Sequence, residues 1–231
     1  MREIVSVVVA TLLMTAVFAG VLYYIIPMPL EYALIAGFVI TVVCVMVHEL
    51  FHKLYATEVC ERRAEFVLTN FAVTVTLLSI FILCVLILIK KYTGWHTYFI
   101  PIVASPGGVY VAMRKADKCY DNIAIVAPLY NFILGLVTLV YLFTQTSPPF
   151  ILNDTSNFTL SLIALVSFFS FGLAFINTLP IKIGDVATDG YWALTVDRSD
   201  FATKMATIVI IFISFAVLFL TNWWAIVLYA Q

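Results

Sequence analysis

Long uninterrupted apolar runs decide most of what this chain can fold into. About twenty such residues are what a helix needs to cross the hydrocarbon core of a bilayer, where every backbone group must be bonded internally. Five runs reach that length, at residues 4–26, 31–55, 122–144, 158–179 and 206–228. Residues 67–113 form a sixth, irregular region. There an apolar stretch runs to Ile89, Lys90 and Lys91 follow, and a shorter stretch from Tyr98 is broken by Pro101, Pro106, Gly107 and Gly108. Pro and Gly that close together interrupt a helix, so a re-entrant or β-hairpin segment is expected, its backbone covered by protein. The expected fold class is an all-α polytopic membrane protein of about six transmembrane helices. We read one domain over residues 1–231, with a core at about 31–194 and peripheral helices at about 4–26 and 206–228. Composition agrees, since 64% hydrophobic and 11% charged residues lie outside the range of soluble domains. A net charge of −1 supplies no basic field for nucleic acid, which excludes that class of partner and leaves the lipid bilayer.

Loop charges set an orientation. With Arg2 inside, Lys53, Arg62, Arg63, Arg114, Lys115, Lys118, Lys182, Arg198 and Lys204 all fall on the cytoplasmic side if residues 67–113 leave and return. Lys90 and Lys91 then lie outside. Residues 145–157 carry no Lys or Arg and contain Asn153-Asp154-Thr155 and the start of Asn157-Phe158-Thr159, acceptor sites for glycosylation on an exported face. The first apolar run is followed by Tyr23-Tyr24-Ile25-Ile26-Pro27 rather than a small-residue cleavage site, so it reads as a retained helix. Cys44, Cys60, Cys84 and Cys119 show no C-x-x-C spacing and read as small packing residues rather than a disulfide framework.

His48-Glu49-Leu50-Phe51-His52 closes the second run. Residues four apart on a helix share a face, so His48 and His52 can hold one metal ion, with Glu49 beside it as general base. Zinc suits this chemistry, because it lowers the pKa of a bound water to roughly 7. Residues 32–47 carry no charge, and ionisable groups at the end of such a segment read as a functional site. A catalytic ion needs about three protein ligands. His96 falls on the opposite face by the charge count, which leaves the carboxylates after Asn177-Thr178-Leu179-Pro180, namely Asp185 and Asp189.

At these residues the chain resembles the site-2 protease family of intramembrane zinc metalloproteases, and archaeal members most. The resemblance rests on the H-E-x-x-H, on Asn177-x-x-Pro180 followed by Asp189-Gly190, and on Ala127-Pro128-Leu129-Tyr130-Asn131, similar to a Gly-Pro-x-x-Asn helix with Ala127 in place of Gly. Cys60 after the first motif and Ser105-Pro106-Gly107-Gly108 add to it. It implies His48, His52 and an Asp as zinc ligands and Glu49 as the catalytic residue. The family offset from the Asn lands on Asp185, but Gly190 and Tyr191-Trp192-Ala193-Leu194 keep the local pattern at Asp189, as if about four residues were inserted upstream. Asp189 is the favoured ligand and Asp185 the alternative. For Asn177 the family implies a side-chain amide that binds substrate backbone or a developing oxyanion; a capping or inter-helix hydrogen bond is the other reading. Pro128 and Asn131 read as helix packing.

The function expected is zinc-dependent hydrolysis of peptide bonds in or near transmembrane segments of a membrane-protein substrate. The cell membrane is the expected location, with the active site toward the cytoplasm. Pro and Gly in residues 67–113 suit a strand-like edge that pairs with an unwound substrate. Two rivals use the same fold. A transporter or channel would spread polar residues along facing helices, and a catalytically inactive scaffold would have no use for an intact His48, Glu49 and His52.

Overall fold

Runs that are apolar all round bury their backbone in helices whatever faces them, and six helices among the described residues are long and apolar enough to cross a membrane. A computed structural model of the chain describes residues 2–26, 28–94, 105–112, 119–146, 156–183, 186–195 and 200–220. Helix α1 is Arg2–Ile25. The second span is compound: α2 (Leu30–Ile40), a π-helical segment Thr41–Met46, α3 (Val47–Leu54) and a second π segment Tyr55–Val59. Each π turn takes up an extra residue and so rotates the faces that follow it. The remaining spans are α4 (Asn70–Thr93), α5 (Cys119–Gln145), α6 (Phe158–Thr178) and α8 (Phe201–Leu220), with a short α7 (Asp189–Thr195) between the last two. The last span starts at Phe201 rather than at 206, and the part of the expected helix beyond Leu220 lies outside the described residues.

Met14, Phe18 and Leu22 of α1, Ile40 and Cys44 of the second span, Leu142 of α5, Leu165 and Phe171 of α6 and Leu218 of α8 build one core. Small residues let the first two spans approach. A Cβ on Gly37 would stand 2.7 Å from the Ala19 backbone nitrogen and 3.0 Å from the Thr15 carbonyl oxygen, so only glycine fits that crossing. Helix α4 lies against α1 through Leu83, Val17 and Val21. Thr69 caps its start by accepting from Ala72 N, and Gly94 ends it in the left-handed region at φ 68°.

The irregular region resolves into two strands that bracket α4. Strands β1 (Ala64–Leu68) and β2 (Gly107–Val111) pair antiparallel, with Phe66 opposite Val109. They form a ribbon closed through a spanning helix rather than a tight hairpin, and β1 begins ahead of the expected segment. Residues 95–104, which include His96, Tyr98 and Pro101, lie outside the described residues. Thr69 N bonds Pro106 O and Ala112 N bonds Arg63 O, and these two bonds set the phase of the ladder. Alternate pairs bond each other. The Phe66–Val109 rung therefore turns its N–H groups outward, away from the partner strand.

One sequence reading changes. Cys60 and Cys119 are joined in a disulfide, although no spacing signalled it, because the end of the second span and the start of α5 meet at one end of the bundle. Cys44 and Cys84 are free. Asn157, read as part of a glycosylation site, caps α6 by accepting from Leu160 N at 3.4 Å. At the disulfide end, Thr203 of α8 donates to Asn122 at the start of α5, and Lys53 meets Glu3. Lys90 reaches the Tyr24 carbonyl at the other end.

Candidate metal centre

His48 and His52 lie one turn apart on α3, both buried, with ring centroids 4.9 Å apart and near-perpendicular planes. Asp189 comes to them from the start of α7, 137 residues beyond His52. Its Oδ2 is 3.3 Å from His52 Nε2 and 3.4 Å from His48 Nε2, and one ligand atom from each residue lies within 4.8 Å of the others. Two bonds of about 2.0–2.1 Å at a tetrahedral angle span roughly 3.3–3.4 Å, so the spacing suits an ion held by all three with one position left over. The group can hold a metal ion.

Local structure explains how Asp189 arrives. Pro180 ends α6, and a two-rung ladder, β3 (Lys182–Ile183) with β4 (Val186–Ala187), folds the chain back. Thr188 closes the fold. Its N–H bonds Ile181 O at 3.0 Å, its hydroxyl bonds the Leu179 carbonyl, and its carbonyl accepts from Tyr191 N. Gly190 then packs against the end of α6 where a Cβ would lie 1.8 Å from the Thr178 carbonyl oxygen, so glycine is the residue that lets α7 approach. Burial by itself would raise the Asp189 carboxyl, but the imidazoles of His52 and His48 outweigh it and hold the group below the ordinary carboxylate range. Asp189 thus offers an anionic oxygen to any ion held there. Asp185 lies outside the described residues.

Helix α5 holds the second nitrogen of each histidine. His52 Nδ1 is 2.7 Å from the Ile123 carbonyl, which can only accept, so Nδ1 carries a proton and Nε2, facing Asp189, is the nitrogen that would be bare with an ion bound. Pro128, one turn beyond, cannot donate to Ala124 and loosens the helix there. His48 Nδ1 is 3.0 Å from Asn131 Nδ2, while the buried Asn131 Oδ1 has no partner among the described residues. In that arrangement the His48 proton sits at Nε2. Binding an ion needs Nε2 bare, and turning the Asn131 amide over brings Oδ1 to accept a proton moved to Nδ1. Tyr130 adds a brace, its hydroxyl bonding the Val43 carbonyl inside the first π segment and its ring stacking on Phe51 at 4.6 Å.

Asn131 is therefore a partner of the site rather than a packing residue. Its sequence signal was available, since a polar side chain within a spanning helix is functional by default. Ile123 contributes only a backbone oxygen and left no signal. Asn131→Ala is expected to weaken metal binding about 10–100-fold, and Asn131→Asp, whose carboxylate still accepts from Nδ1, to lose less. Competition with a chelator of known affinity checks both.

Glu49 lies between α3 and the ribbon. Its Oε2 accepts from Val109 N at 3.1 Å, the outward N–H of the central rung, and the Gly108 Cα passes beside the same carboxylate. Asn177 occupies the last turn of α6, one residue before the Thr178 carbonyl that Gly190 meets, and is not one of the three residues that converge. Comparison with protein-family models, curated proteins and solved structures returned no match to this chain.

Proposed function

We propose that this chain is a zinc-dependent intramembrane endopeptidase that hydrolyses peptide bonds in or near transmembrane segments of membrane proteins. The observation that carries the reading is the convergence of His48, His52 and Asp189 beside Glu49, within a chain of six apolar spans. Two imidazoles and one carboxylate with a position left over are the ligand set of catalytic rather than structural zinc sites. When bound, zinc supplies Lewis acidity and makes water nucleophilic near neutral pH.

The chain's own residues supply the rest. Glu49 takes the proton from the attacking water and returns it to the leaving amine nitrogen, so that one water is added across one peptide bond and the carboxylate is regenerated. Ile123, and Asn131 once its amide is turned over, hold the imidazoles in the tautomer that leaves Nε2 free. A substrate helix must unwind before its carbonyls can be attacked. The outward edge of β2 beside Glu49 would give such an extended segment backbone partners, in the manner of strand addition, with substrate taking the Val109 N–H that Glu49 holds. Asn177 is proposed to bind substrate backbone.

The motifs shared with site-2 proteases support this reading, and the β3–β4 fold-back accounts for the longer spacing from Asn177 to Asp189. The Lys and Arg count supports a cytoplasmic active site in the cell membrane, with Lys90 at the opposite end of the bundle from Lys53.

The test uses purified protein in detergent with a single-span substrate whose helix carries Gly and Pro near one end. Cleavage is expected to stop on treatment with 1,10-phenanthroline and to return with added zinc. Protein that copurifies with no metal and leaves the substrate intact at every zinc level would refute the assignment.

A further inference from the structure

The ribbon is held on both sides by carboxylates at the same rung. Phe66 and Val109 are register partners whose N–H groups point outward. Val109 N donates to Glu49 Oε2 at 3.1 Å, and Phe66 N donates to Glu3 Oε1 at 3.0 Å. The same Glu3 oxygen accepts from Lys53 Nζ at 2.5 Å, and Lys53 stands four residues after Glu49, one turn along the helical run that carries both histidines. These bonds, with the ladder on either side of the Phe66–Val109 rung, link Glu49 through Val109 and Phe66 to Glu3, then to Lys53 and back to α3.

The circuit has two physical consequences. The outer edge of β1 is occupied at its central rung by Glu3 from α1, and an occupied edge cannot accept a further strand at that rung. The outer edge of β2 is bonded at the same rung by Glu49 itself, so a substrate strand adds there by taking the Val109 N–H from the carboxylate that acts on it, whereas Glu3 paired with Lys53 keeps the β1 edge closed. Because the ribbon is tied to α3 directly at Glu49 and, through Glu3 of α1, at Lys53 one helical turn along, its height relative to Glu49 is set, and a single attachment would let it tilt. In antiparallel or parallel addition the phase repeats every two residues, so a ribbon free to shift presents a different peptide bond to the same base.

We propose that Glu3 and Lys53 are positioning residues that lock the β1–β2 ribbon at the height of Glu49 and thereby select which substrate peptide bond is cut. The inference rests on the endopeptidase reading. Neither residue is a metal ligand, and both side chains are about one-third exposed, so their removal need not empty the metal site.

The experiment compares wild type, Glu3→Ala, Glu3→Gln and Lys53→Met as full-length protein in detergent. Metal content, kcat and KM on the single-span substrate, the cut positions by mass spectrometry, and hydrogen exchange of the β1 and β2 amides are measured together. Glu3→Ala is expected to keep its ion, to exchange faster at Phe66, to lose about tenfold in kcat/KM mainly through KM, and to cut at additional positions displaced by two residues. Glu3→Gln, which still accepts from Phe66 N without pairing with Lys53, should fall between the two, and Lys53→Met should resemble it. A single unchanged cut site with wild-type KM in Glu3→Ala would overturn the proposal. Loss of metal in both Glu3 variants would also overturn it, because Glu3 would then be a general structural residue. Wild-type protein that cleaves nothing would instead refute the endopeptidase reading itself, and this inference with it.

Discussion

Glu49→Gln is expected to retain about one metal ion per chain and to slow peptide hydrolysis by about 10³-fold. The amide keeps the size of the side chain and can still accept from Val109 N, so the ribbon stays in place. What it loses is basicity, because a neutral amide cannot take the proton from water and carry it to the leaving nitrogen. Residual activity would come from the site's electrostatics and substrate placement alone. The measurement is single-turnover cleavage of the single-span substrate with elemental analysis of the same sample. Near wild-type rates with the ion present would remove Glu49 from the chemistry.

The second large effect concerns the ion. His48→Ala, His52→Ala and Asp189→Ala are each expected to reduce metal content from about one ion per chain to near none, and to abolish cleavage with it, because two remaining ligands do not make a catalytic site. Asp185→Ala is expected to keep both ion and activity. The contrast between the two aspartates is the informative arm. Asp189 Oδ2 is equidistant from the two imidazoles to within 0.1 Å, at 3.3 and 3.4 Å, which is the position of a shared ligand. An Asp189→Ala protein that still holds its ion, with Asp185→Ala losing it, would reverse the ligand assignment. Elemental analysis after gel filtration reads the outcome directly.

Much of the fold was legible in the chain because it is local. A run such as residues 158–179 must become a helix in a bilayer whatever packs against it, and the structure has α6 there to within a residue. Residues 67–113 were harder. Their Pro and Gly signalled a break correctly, but the partner of β2 proved to be β1, on the far side of a whole spanning helix, and no local pattern marks that pairing. Asn157 likewise fits a glycosylation pattern and in the fold serves as a helix cap, two uses of one short side chain that three residues of sequence do not separate.

The sequence by itself determined the number of spans and the pairing of His48 with His52. Both follow from distances along one helix, the length that crosses hydrocarbon and the four-residue period that aligns two side chains. Tertiary structure alone decided the rest of the site. Asp189 beside His48 and His52, Ile123 behind His52, Asn131 behind His48, the Cys60–Cys119 link and the β2 edge at Glu49 all join residues from 59 to 137 positions apart. Such pairings depend on which backbones approach, and that depends on packing at points such as Gly190 against Thr178, where the absence of one carbon atom lets Asp189 reach the two histidines.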